Sequence, residues 1–218
     1  MHRRYKYLPL LVAPLLTTAG LQAQAVPAAA SPAGHQETDI AVTYTEQYSN
    51  LVSTPTFWQP GGSAEISAQV YRGLGLAANV TGNNVPNAAN SGIGLTMVTG
   101  DFGPRYTYYK PISAEHKRSV AIFGQGLIGQ AWGFNSYFPT ESGVKTDYIS
   151  FALQVGGGVD IGLSRHFAVR VFQADWLRTE FPNANTNVQN NLRLAAGIVF
   201  RIPQGRRAIP GFGDSSTF

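Results

Sequence analysis

Seven charged residues fall on one parity of the chain's alternating segments: Glu65, Arg105, Asp160, Arg170, Asp175, Arg193 and Arg201. Side chains of both signs, drawn from several segments, allow two kinds of chemistry. They can pair, because a lone buried charge is costly. They can instead line a path for protons or ions. Enzymatic chemistry has less to work with. The chain has no cysteine, so it offers no thiol nucleophile, no disulfide scaffold and no Cys-ligated zinc site. A hydrolytic triad needs His beside Ser and an acid. Past the N-terminal segment the histidines are His35, His116 and His166. His35 lies in a Pro/Ala-rich stretch. The other two lie in short connections beside Lys117, Arg118 and Arg165. No catalytic, cofactor-binding or metal-ligating residue is expected.

Two glycine motifs resolve the same way. Gly124–Gly129 reads GQGLIG, a match to G-x-G-x-x-G. A dinucleotide site needs a strand before that motif and a helix opening at it. Here the glycines lie inside an alternating segment, so they read as strand glycines. Gly156–Gly158 reads as a close approach or a point of curvature, not a phosphate loop.

Strands must position the charges. From Ile149, every second residue is Ile, Phe, Leu, Val, Gly, Val, Ile, Leu; from Tyr148 the other parity is Tyr, Ser, Ala, Gln, Gly, Gly, Asp, Gly. Period two marks a strand, and this one outruns the usual length of about 5–6 residues. Eight such segments are expected: Asp39–Tyr48, Ser63–Tyr71, Leu74–Gly82, Ile93–Tyr109, Ser119–Phe134, Thr146–Leu163, Phe167–Thr179 and Gln189–Ile202. The fourth slips parity near Gly100–Asp101, which suggests a β-bulge. The seventh slips between Val171 and Trp176. The connections after segments one, three, five and seven are long and rich in Asn, Pro, Thr and Ser. Those around Arg72–Gly73 and Ser164–His166 are tight, and KPISAEHKR after segment four is of middle length.

One face of each strand is bulky and apolar, the other small or polar. A membrane-spanning strand needs about 9–11 tilted residues, and no segment approaches the ~20 apolar residues of a spanning helix. An apolar face turned to lipid forces closure, because an open edge would leave backbone groups unpaired in hydrocarbon. Long loops on one rim and shorter turns on the other are the pattern of an outer-membrane barrel. The fold class expected is all-β: an eight-stranded antiparallel up-and-down transmembrane β-barrel. Tracing the chain up and down puts Tyr48, Trp132, Phe134, Trp176 and Phe181 near the long-loop rim. It puts Tyr71, Tyr106, Tyr108, Tyr109, Phe167 and Phe200 near the other. Two aromatic girdles are expected from this.

The ends of the chain give the compartment. MHRRYK is a basic start, YLPLLVAPLLTTAGL an apolar run broken by prolines, and Ala23–Gln24–Ala25 a small-x-small cleavage site. Residues 1–25 read as a secretory signal peptide. Residues 26–37 read as a disordered Pro/Ala-rich leader, 38–203 as the barrel and 204–218 as a flexible tail. Losing Arg3, Arg4 and Lys6 takes the formal charge from +4 to about +1, and no basic patch of the kind nucleic acid needs is visible. Only 13% of residues are charged, low for a soluble domain.

With the signal peptide, FGPRYTYY (Phe102–Tyr109) and the last segment NNLRLAAGIVFRI (Asn190–Ile202), the chain resembles the small eight-stranded outer-membrane barrels such as the OmpA transmembrane domain and OmpX. The resemblance implies outer-membrane lipid and lipopolysaccharide as surroundings, and the barrel-assembly machinery as a partner. That machinery would read Gly197, Phe200 and Ile202 of the closing strand as its signal. It implies no cofactor. The function expected is non-enzymatic: a structural, adhesive or surface-binding barrel with its lumen plugged by side chains, open to an extracellular ligand at the long loops. A narrow pore is the alternative. A lipid A- or lipid-modifying enzyme and a secreted lipocalin-like binder are further readings. The lack of an outer-rim histidine weighs against the first, and the lipid-facing parity against the second.

Overall fold

The computed structural model describes residues 37–51, 56–112 and 118–203. The expected signal peptide, nearly all of the leader, His35, His116 and the tail lie outside these residues. Ten strands follow in chain order: β1 (Glu37–Ser49), β2 (Phe57–Tyr71), β3 (Leu74–Val85), β4 (Leu95–Pro111), β5 (Ser119–Phe134), β6 (Phe138–Thr140), β7 (Gly143–Lys145), β8 (Tyr148–Gly162), β9 (Phe167–Thr179) and β10 (Gln189–Pro203). Eight of them, all but β6 and β7, close into one antiparallel barrel of neighbours. β10 completes it by pairing with β1, from Glu37 against Pro203 to Tyr48 against Leu192. Among the described residues every barrel strand has a neighbour on both sides. β1 thus begins two residues before the expected strand Asp39–Tyr48 and ends one residue after it.

The two faces are inverted relative to a water-soluble protein. Ile66, Leu76, Phe102, Ile122, Ile149 and Ile198 are exposed on the outside. Thr45, Gln47, Gln59, Thr99, Gln154 and Gln189 are wholly buried within. A continuous apolar exterior of this size marks a surface made for a non-aqueous neighbour. A lipocalin-like binder needs the opposite arrangement, so the structure overturns that alternative.

Three expectations are corrected. First, β4 has no bulge at Gly100–Asp101. Its register against β3 and β5 is continuous there, with Asn79 opposite Asp101 and Asp101 opposite Gly129. Odd residues point inward along the whole strand. The apparent slip arises because the inward positions Leu95 and Met97 are apolar. Second, β2 runs back through Pro60, Gly61 and Gly62, which read as loop. Its pairing with β3 begins only at Gly61, so β2 has an open side at Pro60, where a strand proline is tolerated. Third, the loop between β5 and β8 contains the hairpin β6–β7, too short to leave a period.

The other irregularity is real. β9 shifts register between Val159–Phe172 and Asp160–Arg170, and Val171 and Phe172 both face outward. The bulge returns Arg170 and Gln173 to the inward face on either side of it.

Leu153 faces outward and its neighbour Ala152 is buried inside. Leu153→Arg should cost about 2–4 kcal/mol of membrane stability if it lies near the midplane. Urea unfolding in lipid vesicles measures this, and Ala152→Arg should act instead by crowding the lumen.

Candidate functional site

The barrel interior is where the sequence concentrates its charge. Eight strands enclose a bore that side chains can fill. All seven charged residues singled out above are buried inside, and two more accompany them, Asp39 and Asp101. Both had been missed. Asp39 shares parity with Thr43, Thr45 and Gln47, a signal that could have found it. Asp101 was hidden by the supposed bulge.

Four of the seven meet in one cluster, each from a different strand. Arg170 of β9 donates from Nε to Asp160 Oδ1 (2.9 Å) and from Nη2 to Asp160 Oδ2 (3.2 Å). Its Nη1 donates to Glu65 Oε1 of β2 at 2.8 Å. Arg105 of β4 donates to the same Glu65 oxygen and lies 3.7 Å from Asp160 of β8. Two carboxylates and two guanidinium groups therefore balance. Both guanidinium groups also lie over the ring of Phe123, at 3.7 and 4.5 Å from its centroid, close enough for a cation–π contact. Gln125 Nε2 donates to the second Glu65 oxygen at 3.1 Å.

The triple glycine of β8 serves this cluster. A Cβ at Gly158 would stand 2.5 Å from the Phe172 carbonyl and 2.8 Å from the Phe123 ring. The absent side chain is the space the ring occupies. GQGLIG lies within unbroken β5, and no helix opens there.

The remaining three charges lie apart from the cluster. Asp175 joins it only through Gln173, whose Nε2 donates to Asp175 Oδ2 at 2.7 Å and whose Oε1 accepts from Arg170 at 2.8 Å. Arg193 stands toward the long-loop end and reaches across the bore. Its nitrogens donate to Gln47 (3.1 Å), Thr81 (3.2 Å), Thr99 (3.1 Å) and Gln154 (3.0 Å), all neutral oxygens. Arg201 sits at the short-turn end, donating to Ser119 Oγ at 3.0 Å and lying 3.9 Å from Glu37.

The long-loop end of the bore is apolar. Leu51, Phe57, Leu95, Met97, Leu177, Phe138 and Phe181 pack there as one buried cluster. Phe138 comes from the loop hairpin and stacks on Phe181 at 5.3 Å between centroids. Gln189 clamps Phe181 by accepting from its N–H and donating to its carbonyl, both at 2.9 Å. Phe181 is thus a lumen residue and not part of the outer girdle. Tyr109 is likewise turned inward, donating toward Asp39 at 3.4 Å. The outer aromatics include Tyr48, Trp58, Trp132, Phe134 and Trp176 at one rim, and Tyr71, Tyr106, Tyr108, Phe167 and Phe200 at the other.

An apolar exterior, a polar interior, closure without an edge and two aromatic rims leave one environment for this surface. The chain is an eight-stranded outer-membrane β-barrel. No protein-family model matches it, and no curated protein matches it. Solved structures with a similar fold include Ail, the attachment invasion locus protein of Yersinia pestis. It is 11% identical, with 78% of this chain and 100% of that chain covered and a TM-score of 0.47. Neisserial surface protein A is 14% identical, covering 78% and 99%, with a TM-score of 0.46. The N-terminal barrel domain of Pseudomonas aeruginosa OprF is 11% identical, covering 77% and 99%, with a TM-score of 0.42. At such distances these likenesses bear on neither ligand nor partner.

Other groups that could do chemistry are scattered in this barrel. His166 is exposed in the turn between β8 and β9. Among the described residues no cluster of three or more His, Cys, Asp or Glu could hold a metal ion. Gly197 is held close to β1: a Cβ there would lie 2.1 Å from the Val42 carbonyl. Phe200 and Ile202 face lipid, and Phe200 packs edge-on against Phe167 at 5.0 Å.

Asp160→Ala and Arg170→Ala should each cost about 3–5 kcal/mol, since each strands a buried partner charge. The double variant should lose much less than the sum. Additive losses in urea titrations would show that the two groups do not act as a pair.

Proposed function

We propose that this barrel is a non-enzymatic element of the outer membrane, closed to solutes by its own side chains, which acts structurally or by binding through its long loops. The observation that supports the reading is that two sets of buried side chains stand across the bore. The neutralised cluster of Glu65, Arg105, Asp160 and Arg170 crosses it at one level. The apolar layer around Phe138 and Phe181 crosses it near the long-loop mouth. Each blocks water by a different means, one by tight ion pairing and the other by excluding polar groups. The long loops, by contrast, are rich in Asn, and loops held on a rigid scaffold are where binding residues often sit.

A narrow pore for ions or small solutes is the second reading. What favours it is a set of buried polar atoms without a hydrogen-bond partner, the Gln59 amide and Gln154 Nε2 among them. Such groups are ordinarily satisfied by protein or water. Planar-bilayer recording separates the two. Closure predicts no steady wild-type current and flickering openings in Asp160→Ala. Steady, ion-selective wild-type currents, unchanged in that variant, would establish the pore.

The closing strand is proposed as the signal for the barrel-assembly machinery, through Gly197, Phe200 and Ile202. Deleting residues 206–218 should then leave the barrel in the membrane, while Phe200→Ala with Ile202→Ala should not. Fractionation with heat-modifiable gel mobility reads the outcome, and the reverse result would move the signal to the tail.

A further inference from the structure

The two rims of the barrel differ in charge. At the long-loop rim Glu46, Glu141, Asp147 and Glu180 outnumber Lys145 and Arg178, and Arg178 and Glu180 already pair at 3.3 Å. Among the described residues the exposed charges at the short-turn rim are Arg72, Lys110, Arg118 and Arg165. Among the described residues none of these four forms an ion pair. Each of the three connections at this rim carries an arginine.

One of these cations is held in a built setting. The turn between β2 and β3 has positive φ at both central residues, 45° at Arg72 and 85° at Gly73. That turn type favours Asn-Gly, and an arginine in the left-handed region stores backbone strain. The turn is tied to the next strand, because Thr107 N–H donates to the Gly73 carbonyl at 2.8 Å. Leu74 pairs with Tyr106, which sets the turn beside β4. The Arg72 guanidinium lies 5.2 Å from the Tyr71 ring. Tyr71, Tyr106 and Tyr108 are all exposed on the outer surface. Lys110 follows on the same outward parity of β4. Two cations that form no ion pair among the described residues and three tyrosine hydroxyls thus share one lipid-facing patch at headgroup level.

We propose that the Arg72–Lys110 patch, framed by Tyr71, Tyr106 and Tyr108, binds the phosphodiester headgroup of an anionic glycerophospholipid. Short turns of such barrels face the periplasm, so the lipid belongs to the periplasmic leaflet. A guanidinium can grip a phosphate through two parallel N–H donors. Tyrosines at the interface have an apolar body in lipid and a hydroxyl that can donate to the same oxygens. The strained Arg72 backbone is then the cost of presenting that side chain at a turn.

Native mass spectrometry of the folded barrel, offered equal phosphatidylglycerol and phosphatidylcholine with matched acyl chains, tests this. Each cation near an anionic headgroup is worth about fivefold in binding. Wild type should retain phosphatidylglycerol at least ~5-fold over phosphatidylcholine. R72Q with K110Q should bring the ratio to about one, while Arg72→Lys and the opposite-rim control Glu180→Gln should leave it largely intact. Added glycerophosphoglycerol, the headgroup without its acyl chains, should not displace the lipid. Should the double variant fail to fold, the wild-type preference still has to collapse in high salt. Equal retention of both lipids by wild type, a preference that survives R72Q with K110Q or high salt, or full displacement by the free headgroup would each overturn the proposal.

Discussion

A backbone N–H or C=O in hydrocarbon has no water to turn to, and each one left unpaired costs several kcal/mol. That constraint governs the whole molecule. It makes the pairing of β10 with β1 obligatory and joins the two ends of the described chain along twelve residue pairs from Glu37 to Tyr48. Closure then fixes everything that follows from parity. Once the exterior must be apolar, the polar and charged side chains of the strands go inward or to the two rims, and a bore of eight strands leaves little room for water. Ion pairing in the lumen is a consequence of the lipid outside.

The interior accordingly changes character along its length. At the short-turn end are Glu37, Asp39, Tyr109 and Arg201. Next comes the balanced cluster of two acids and two arginines over Phe123, then Arg193 amid neutral oxygens, then the apolar layer under the long loops. The Arg193 layer is the least usual. Its guanidinium donates to four neutral acceptors from β1, β3, β4 and β8, and the buried carboxylates Asp101 and Asp175 supply opposite charge nearby. The side chain spans the bore and ties distant staves together.

How much of this was legible in the sequence follows the same physics. The outward face was readable because lipid demands apolar residues at every other position, as in β8 and β10. The inward face carries no such demand, so its pattern misled wherever it turned apolar. Leu95 and Met97 belong to the layer beneath the loops, and their presence on the inward parity mimicked a bulge in β4. Tyr109 and Phe181 looked like girdle residues because depth was read without facing. The real bulge in β9 was visible because it breaks the outward pattern, leaving Val171 and Phe172 both toward lipid. Which charges touch could not be read at all. Glu65 and Arg170 are 105 residues apart, and their contact depends on the stagger of the whole barrel. The strained turn at Arg72 was equally silent, since a positive φ leaves no periodic trace.

The account stands on unbroken alternation between lipid and lumen, and β4 is where it is most exposed to test. Nitroxides placed singly from Thr96 to Tyr108 in the membrane-inserted barrel would report their access to oxygen dissolved in lipid. A period of two should run through the whole strand, with even positions lipid-accessible and Thr99, Asp101 and Arg105 shielded. A reversal of phase at Gly100–Asp101 would contradict it, restoring the bulge and removing Asp101 from the lumen.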